Sequence, residues 1–368
     1  MKSLVLVGAG HAHMGVLLQA KRLQNAGFEI VLIDPGSFWY GGATTRVVAG
    51  QLSQTALKLP LRGVCREHAV RYRADRAIGV DTRHRRLWLA SGEMLAFDTL
   101  SLDVGVECAL AVAAGSHAPP MLWSAVDVSA LVQLAETLSH EARGGAIRRV
   151  AVVGDGPRAL EVIAGLRRHP SASSLQISWY VPQTRLLADA PITLERRIRR
   201  WLVESGVEIV VQTAIVEKVD GAICSADGRR FTADHGVITS PTPAARFVHA
   251  GRLPAQAEGL YVTRRLQSPA DSRVYAAGGC ASVLGAEGRY LDSDRQARVL
   301  AHNIEAGARR RPFKSVSARG GATTVDFGDG SAAAWYGRLW WQGRMPARRR
   351  AQTQARWLAL VERYAPRR

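Results

Sequence analysis

The feature that most constrains the fold is a pattern that occurs twice. Each copy is a short apolar run, a Gly-x-Gly turn, an amphipathic stretch and a second apolar run. The first copy runs from Leu4 to Ile33 and the second from Val150 to Val181, with their turns about 145 residues apart. Strand, turn, helix and strand in this order are typical of a parallel sheet. The sequence therefore predicts an α/β protein with two Rossmann-type dinucleotide-binding units.

The order of these units predicts four segments. Residues 1–108 are the first part of the first unit, 109–239 the second unit, 240–312 the return to the first unit, and 313–368 a C-terminal helical appendage. A chain of 368 residues is long enough for two cores. We predict helices over 14–25, 126–141 and 158–168, a meander over 69–97 and a linker over 109–120.

The net charge of +18 allows three interpretations: nucleic-acid binding, attraction to an anionic membrane surface, or an Arg-rich proteome. No zinc-finger spacing, RNA-recognition signature or basic zipper accompanies the charge, so nucleic acid is the least favoured. The four cysteines include no C-x-x-C pair, which argues against a disulfide framework and a dithiol reductase. Because the cysteines are scattered, a reducing cytoplasm fits best. We expect no spanning helix, because no run of about 18 apolar residues occurs.

The first turn, Gly8-Ala9-Gly10, is predicted to bind a dinucleotide. Gly8 allows the tight turn, Gly10 lets the backbone approach a pyrophosphate, and the following helix offers free N–H groups. Asp34 ends the second strand, where a carboxylate can accept hydrogen bonds from ribose hydroxyls. His13 occupies the third position of the fingerprint instead of Gly or Ala, so we expect looser helix–strand packing there.

The second turn, Gly154-Asp155-Gly156, lacks the usual ribose anchor, because its next strand ends in Pro182-Gln183 instead of an acid. Arg158 and Arg185 could meet a 2′-phosphate, which would favour NADPH. A relic Rossmann unit that binds no nucleotide is the alternative.

The chain resembles the pyridine nucleotide-disulfide oxidoreductase superfamily, and within it the flavoproteins similar to type II NADH dehydrogenase and sulfide:quinone reductase. The His-x-His turn and the Arg-Gln segment indicate the branch related to the module fused to selenophosphate synthetase. The motifs that carry the resemblance are Val7 to His13, Tyr40-Gly41-Gly42 with Val48-Ala49-Gly50, Ser101 to Gly105, Val152 to Gly156 with Glu161, Val274 to Gly278, and Arg295-Gln296-Ala297 with Leu300-Ala301.

The resemblance implies FAD in the first unit and NAD(P)H as co-substrate in the second. Hydride would pass from NAD(P)H to the flavin, and electrons would then leave near Gln296 for a quinone-like or other small acceptor. The residues that the resemblance implies for FAD are Gly8, Gly10, Asp34, Gly41, Gly42, Asp103, Ala277 and Gly278 with Gly279. Those implied for NAD(P)H are Gly154, Gly156 and Glu161.

Three positions depart from the family pattern. A family Gly-Asp pair, whose carboxylate meets the flavin ribityl chain, is Gly278-Gly279 here. A family Thr-Gly segment is Thr239-Ser240-Pro241. Where the quinone motif has two glutamines, Asp292 takes the earlier place and Gln296 the later. We therefore expect FAD to be held less tightly or differently.

Other reactive side chains are few. His11 and His13 could tune the pyrophosphate or flavin environment, or could simply pack in a loop. Cys280 follows the flavin segment and is interpreted as a small buried hydrophobe, because it has no partner cysteine. No metal-ligand, Ser-His-Asp or paired-carboxylate arrangement stands out.

The C-terminal segment combines aromatic residues with arginines. On a helical wheel, Trp357, Leu358, Leu360, Val361 and Tyr364 share one face flanked by Arg349, Arg356 and Arg363. Such a face suits a helix in a membrane interface, at the inner face of the cytoplasmic membrane. A helix docked on its own domain or in a homodimer contact is the alternative.

The sequence thus favours an FAD-dependent NAD(P)H dehydrogenase that reduces a quinone-like or other small acceptor. A specialised biosynthetic flavoenzyme on the same scaffold is one alternative. A degenerate flavoprotein that serves as a non-catalytic subunit is the other.

Overall fold

A computed structural model describes residues 1–108, 120–219, 221–243, 253–256, 259–286 and 291–365. The predicted linker over 109–120 lies almost wholly outside these residues. The strands are β1 (Lys2–Val7), β2 (Phe28–Ile33), β3 (Phe38–Trp39), β4 (Lys58–Leu59), β5 (Arg71–Arg73), β6 (Ala77–Asp81), β7 (Arg86–Leu89), β8 (Met94–Ala96), β9 (Thr99–Leu102), β10 (Val106–Cys108), β11 (Met121–Ser124), β12 (Arg148–Val153), β13 (Leu175–Tyr180), β14 (Val207–Val210), β15 (Ile215–Val219), β16 (Ala222–Ser225), β17 (Arg230–Thr232), β18 (His235–Ile238), β19 (Pro241–Pro243), β20 (Ala255–Gln256), β21 (Gly259–Val262), β22 (Val274–Ala276), β23 (Ala281–Val283), β24 (Thr323–Asp326), β25 (Ala332–Tyr336) and β26 (Leu339–Gly343).

The helices connect these strands and add one long C-terminal element. They are α1 (His11–Leu17), α2 (Ala20–Gln24), α3 (Thr44–Val48), α4 (Gln54–Leu57), α5 (Leu61–Glu67), α6 (Val128–Glu141), α7 (Gly156–Arg168), α8 (Ile192–Glu204), α9 (Ser293–Arg309) and α10 (Arg344–Tyr364). The predicted helix over 14–25 is wrong as one element, because the chain forms α1 and α2 with a break between them. The other two predicted helices are present as α6 and α7.

Two parallel sheets of five strands confirm the doubly built α/β architecture. The first has the order β22-β9-β1-β2-β5 and the second the order β11-β18-β12-β13-β14. Their central strands β1 and β12 are buried apolar runs, as expected for sheets covered on both faces. The meander is confirmed as the antiparallel strands β6, β7 and β8. The four segment boundaries remain predictions.

The register of each parallel sheet determines which residues meet at its carboxyl edge. Val7 pairs with Ile33 on one side and with Leu102 on the other. The next residues along these strands, Gly8, Asp34 and Asp103, therefore lie side by side just beyond the sheet. Ligands of open α/β sheets bind at this edge.

The predicted C-terminal helical appendage is confirmed as α10, and a small sheet precedes it. Strands β24, β25 and β26 form an antiparallel sheet before α10 begins. Trp335 and Trp340 are therefore strand residues, paired across β25 and β26. None of the helices within the described ranges is long and apolar enough to cross a membrane.

Candidate dinucleotide sites

The first glycine turn is clamped between the two strands that flank β1. The Gly8 N–H donates to the Ile33 carbonyl at 2.8 Å, and the Gly10 N–H donates to the Asp103 carbonyl at 3.1 Å. Gly8 has a φ of +85°, which a residue with a side chain rarely adopts, and a Cβ there would overlap the Asp103 carbonyl. Helix α1 begins immediately after this turn, with its N-terminus at the sheet edge.

Asp34 holds the outer side of the same turn. Its Oδ2 accepts a hydrogen bond of 2.9 Å from the Ala9 N–H, and its Oδ1 accepts one of 2.9 Å from the Gly36 N–H. A carboxylate oxygen can accept more than one hydrogen bond, so capacity for ribose hydroxyls remains. Turn, helix N-terminus and carboxylate together fit an adenine dinucleotide such as FAD.

His13 is a structural side chain with no exposed surface. Its Nδ1 lies 2.7 Å from the Gly8 carbonyl, so Nδ1 carries the proton, and Nε2 accepts from the Ser101 hydroxyl at 2.8 Å. Burial lowers the pKa of His13 to about 4, which keeps the ring neutral. The expected loose packing at this position is wrong: the imidazole fills the space between α1, β1 and β9.

The carboxyl group of Asp103 stands beside the turn, which changes the interpretation of Gly10. Its Oδ2 accepts a hydrogen bond of 3.0 Å from the His13 N–H. A Cβ on Gly10 or on Gly278 would overlap this carboxyl group. The missing side chain of Gly10 therefore makes room for Asp103, in addition to any phosphate that approaches.

The returning segment of the first unit is fixed by Gln296. The Gln296 Oε1 accepts from the Gly278 N–H at 2.9 Å, and its Nε2 donates to the Leu291 carbonyl at 3.1 Å. The Gln296 amide is buried, and both its oxygen and its nitrogen are hydrogen-bonded. Any effect of Gln296 on an electron acceptor would therefore be indirect, through the position of Gly278. A Cβ on Gly279 would lie 2.8 Å from Cγ1 of Val106, so no aspartate fits there unless β10 moves.

An aromatic wall of Phe38, Tyr40, His11 and Trp357 lies next to the Gly41-Gly42 loop. The His11 ring lies 4.8 Å from Phe38 and 5.2 Å from Trp357 between ring centroids, and Tyr40 stacks on Trp357 at 5.7 Å. Burial, with the positive charges of Arg158 and Arg350, lowers the pKa of His11 to about 4. A neutral His11 therefore behaves as a fourth flat ring of this wall.

The C-terminal helix α10 supplies part of both candidate sites. Its Gln354 Nε2 donates to the Gly42 carbonyl at 3.1 Å, while its Arg350 binds Glu161 of α7 at 2.9 Å. Burial raises the pKa of Glu161 although Arg350 and Arg158 oppose the effect. These α10 contacts were missed from the sequence, since nothing local to residues 350–357 indicates a partner about 190–350 positions away.

The α10 contacts also correct the predicted membrane face. Trp357 and Val361 are buried against the chain's own core, with Leu358, Leu360 and Tyr364 partly covered. The aromatic face is therefore docked on the protein and does not point to a bilayer.

The second glycine turn is packed from below. The Trp179 Nε1 donates to the Gly154 carbonyl at 2.6 Å. The hydroxyl oxygens of Thr239 and Ser240 occupy the space that a Cβ on Gly154 would need. The Gly156 N–H donates to the Leu186 carbonyl at 2.9 Å, while no atom of the described residues lies within 4 Å of a Cβ built there. The space above Gly156 is thus open at the N-terminus of α7.

Arg158 and Arg185, which were expected to contact a 2′-phosphate, are both hydrogen-bonded to other groups of the protein. Arg185 binds Glu195 at 2.7 Å and the carbonyls of Ala188 and Ala190. Arg158 donates to the Ala125 carbonyl at 3.0 Å. Burial and the nearby negative charge of Asp189 raise the pKa of Asp155, whose carboxyl group belongs to the turn itself.

Comparison with known proteins decides the family. The sequence profile of the family described as pyridine nucleotide-disulphide oxidoreductase matches residues 2–307. The chain belongs to this family. It is an enzyme, an NAD(P)H-dependent oxidoreductase with FAD as its cofactor.

Individual relatives agree with this assignment. An NADH dehydrogenase-like protein of Bacillus subtilis is 25% identical over 296 residues, which cover 77% of this chain and 78% of the relative. A type II NADH:quinone oxidoreductase of Haemophilus influenzae is 26% identical over 207 residues, 50% of this chain and 45% of that protein. The sulfide:quinone oxidoreductase of Aquifex aeolicus has the same fold, with a TM-score of 0.79 at 15% identity over 99% of this chain and 92% of that one.

Proposed function

We propose that this enzyme oxidises NADH at the second glycine turn and reduces a quinone-like small acceptor, with FAD held at the first turn. The observation that carries the proposal is the position of α10. It contributes Trp357 to the aromatic wall beside the first turn and Arg350 to Glu161 beside the second. One helix therefore contacts the elements that follow both turns, and this suits a transfer between two bound dinucleotides. The names of the quinone oxidoreductase relatives support the acceptor class.

The chain's own residues would bind the two dinucleotides, orient them and exclude water from the site. Bound FAD supplies the ability to accept a hydride and to release electrons. Asp34 and the N-terminus of α1 would hold the adenosine and phosphate portions, while the missing side chain of Gly42 makes room for the phenol ring of Tyr40. The wall of His11, Phe38, Tyr40 and Trp357 is apolar and almost wholly buried, so it holds α10 against the first unit and keeps water from this side of the site.

NADH is the proposed donor because the two arginines that the structure describes near the second turn, Arg158 and Arg185, are hydrogen-bonded to other groups. Arg185 is committed to Glu195 and two carbonyls, and the carboxyl groups of Asp155 and Asp189 would repel an added phosphate. We expect kcat/KM for NADH to exceed that for NADPH by about 10- to 100-fold, since an unpaired charged group costs roughly 1–3 kcal/mol. Steady-state kinetics with both donors measures this ratio.

The decisive experiment follows the flavin spectrum of the purified protein. We expect a yellow protein that bleaches under anaerobic NADH and recovers its colour when a short-chain quinone is added. Bleaching without recovery would contradict a quinone acceptor and favour a specialised biosynthetic enzyme. A colourless protein that stays empty in excess FAD would contradict the placement of FAD at the first turn.

A peripheral membrane site is proposed at the β25–β26 hairpin instead of the buried face of α10. Leu339 is 70% exposed and Met345 74% exposed, with Tyr336 and Trp341 also at the surface. The neighbouring arginines 338, 344 and 348 are exposed as well. Because Leu339 begins β26 and Met345 lies at the start of α10 beyond its other end, these side chains form an apolar strip along β26. Such a strip flanked by cations suits an anionic bilayer surface, from which a quinone would be drawn.

Co-sedimentation with anionic vesicles tests this surface. We expect binding that weakens as salt rises, and a loss of binding in Leu339→Asp combined with Met345→Asp. The exposed Ile78→Asp, on the meander, serves as a matched control. Equal vesicle binding by the wild type, the double variant and the Ile78→Asp control would contradict the hairpin site. The homodimer remains a prediction.

A further inference from the structure

The carboxyl group of Asp103 occupies the N-terminus of α1, where the first unit is expected to receive phosphates. It accepts a hydrogen bond from the His13 N–H at 3.0 Å, and the Ala12 N–H also donates to it. It fills the gap between Gly10 and Gly278, whose missing side chains leave room for it. Free N–H groups at a helix start attract anions. An internal carboxyl group thus stands where a pyrophosphate must approach.

No cation compensates Asp103 among the titratable groups that the described elements place around it. From α1 comes His13, whose neutral ring is committed to Gly8 and Ser101. From the turn Gly278–Cys280 comes the Cys280 thiol, whose pKa is raised to about 12 by burial and by Asp103. From the loop after β2 comes Asp34, which binds the opposite side of the glycine turn.

Burial favours the neutral form of this carboxyl group. Asp103 is 2% exposed, and removal from water raises its pKa to about 7. Two anions in hydrogen-bond contact inside a dry site cannot both stay charged, so an approaching phosphate would favour the protonated acid further. A carboxylic acid can then donate its O–H to a phosphate oxygen.

We propose that Asp103 is a phosphate-binding residue that works as a neutral acid, taking up one proton from solvent when FAD binds and donating its O–H to a pyrophosphate oxygen. The proposal rests on the proposed placement of FAD at the first turn. No covalent bond changes, and the only transfer is one proton from solvent to the Asp103 carboxylate. FAD binding thereby becomes linked to pH.

The test titrates FAD into flavin-free protein between pH 6 and 8.5 and follows flavin fluorescence. Calorimetry in two buffers with different ionisation heats counts the protons taken up. Above pH 7 we expect Kd to weaken by about tenfold per pH unit, with close to one proton taken up per FAD at pH 8. A Kd that stays constant across this range, with no proton uptake, would overturn the role of Asp103.

Two variants sharpen the result. Asp103→Asn places a neutral N–H donor of similar shape at the site, so we expect its Kd to be independent of pH and close to the wild-type value at pH 6. Asp81→Asn makes the same chemical change on the exposed end of β6 and should keep the wild-type pH dependence. A pH-dependent Asp103→Asn would also refute the proposal.

Two outcomes keep this test separate from the proposed function. If Asp103→Asn does not fold, the proton count of the wild-type protein still decides the question. If the wild-type protein binds no FAD at any pH, the placement of FAD is refuted, whereas FAD binding that is indifferent to pH refutes only the role of Asp103.

Discussion

At the scale of single residues, the contacts of His13 explain why a histidine occupies a position that usually holds glycine or alanine. Its two ring nitrogens join the carbonyl of Gly8 to the hydroxyl of Ser101, so one side chain ties α1 to two strands. Ser101 lies on β9 and Asp103 directly follows its end, and both side chains contact His13. The triplet His13, Ser101 and Asp103 therefore fixes the geometry of the first turn.

His13→Ala removes a fully buried side chain and both of these hydrogen bonds. We expect the free energy of unfolding to fall by about 2–4 kcal/mol, because a cavity forms and the Gly8 and Ser101 groups lose their partner. Urea denaturation measures the change. His84→Ala, at a mostly exposed site in the meander, is the control and should change stability by less than about 0.5 kcal/mol. Similar losses in both variants would contradict the structural role of His13.

Gly10→Val should abolish flavin retention, because its side chain would overlap the Asp103 carboxyl group and crowd the phosphate path. The ratio of absorbance at 450 nm to absorbance at 280 nm in the purified variant measures the bound flavin, since oxidised flavin absorbs in the visible. Gly144→Val, at an exposed position without a positive φ and with no atom of the described residues near its Cβ position, is a control for general effects on folding. A fully yellow Gly10→Val would refute the placement of the phosphates.

The residues that could be predicted are those whose role is local. Gly8, Gly10 and Asp34 follow from strand ends and turn chemistry, which a short window of sequence contains. The contact between Asp103 and the His13 N–H joins residues 90 positions apart, and no local pattern indicates it. Arg185 was misassigned because its partner Glu195 lies a full loop away, on α8.

At the scale of elements, α10 is the piece that the sequence described least well. Its helical periodicity was predicted correctly, but amphipathicity alone does not tell whether the apolar face meets lipid or protein. The structure places Trp357 and Val361 against the core and Arg350 against Glu161 of α7. The central strands and helices α6 and α7 were predictable because each combines strong periodicity with clear glycine or capping signals.

Arg350→Ala should loosen α10 because the buried Glu161 loses the ion pair that joins it to this helix, while the charge of Arg158 still acts on it. We expect a loss of about 1–3 kcal/mol, because Arg350 keeps about a fifth of its side chain in solvent and the ion pair is partly screened. Differential scanning fluorimetry measures the shift in Tm. The exposed neighbour Arg349→Ala is the control, and in the Arg350→Ala/Glu161→Gln double variant part of the stability should return. A double variant with purely additive losses would contradict the pairing.

At the scale of the whole molecule, the pH dependence of stability reflects a few buried groups more than the large net charge. The pKa values of His11 and His13 are lowered to about 4 in the folded protein, from 6.5 when exposed. Between pH 6.5 and 4 the unfolded chain therefore binds these protons and the folded chain does not, so stability falls as the pH falls. Asp103, with its raised pKa, acts in the opposite sense, and its contribution is lost as pH rises toward 7.

We expect the Tm to decline steeply when the pH is lowered from 6.5 to 4, with a net slope of about one proton, or roughly 1.4 kcal/mol per pH unit, from these three groups. Thermal unfolding followed by circular dichroism across this range measures it. His11→Gln should flatten the acid side of the profile. An unaltered acid slope in His11→Gln would show that His11 is not neutral in the folded state.

The two indole rings at the glycine turns give the molecule a built-in optical probe. Trp179 lies sealed under the second turn with its N–H on the Gly154 carbonyl, and Trp357 stacks on Tyr40 beside the first turn. An indole in contact with a flavin loses its emission by energy transfer, whereas one shielded beneath a nucleotide keeps a blue-shifted spectrum. Because the chain has nine tryptophans, the difference in emission between the wild type and each Trp→Phe variant would isolate the part that comes from Trp179 or Trp357. These two difference signals would follow the filling of each turn separately and without labels.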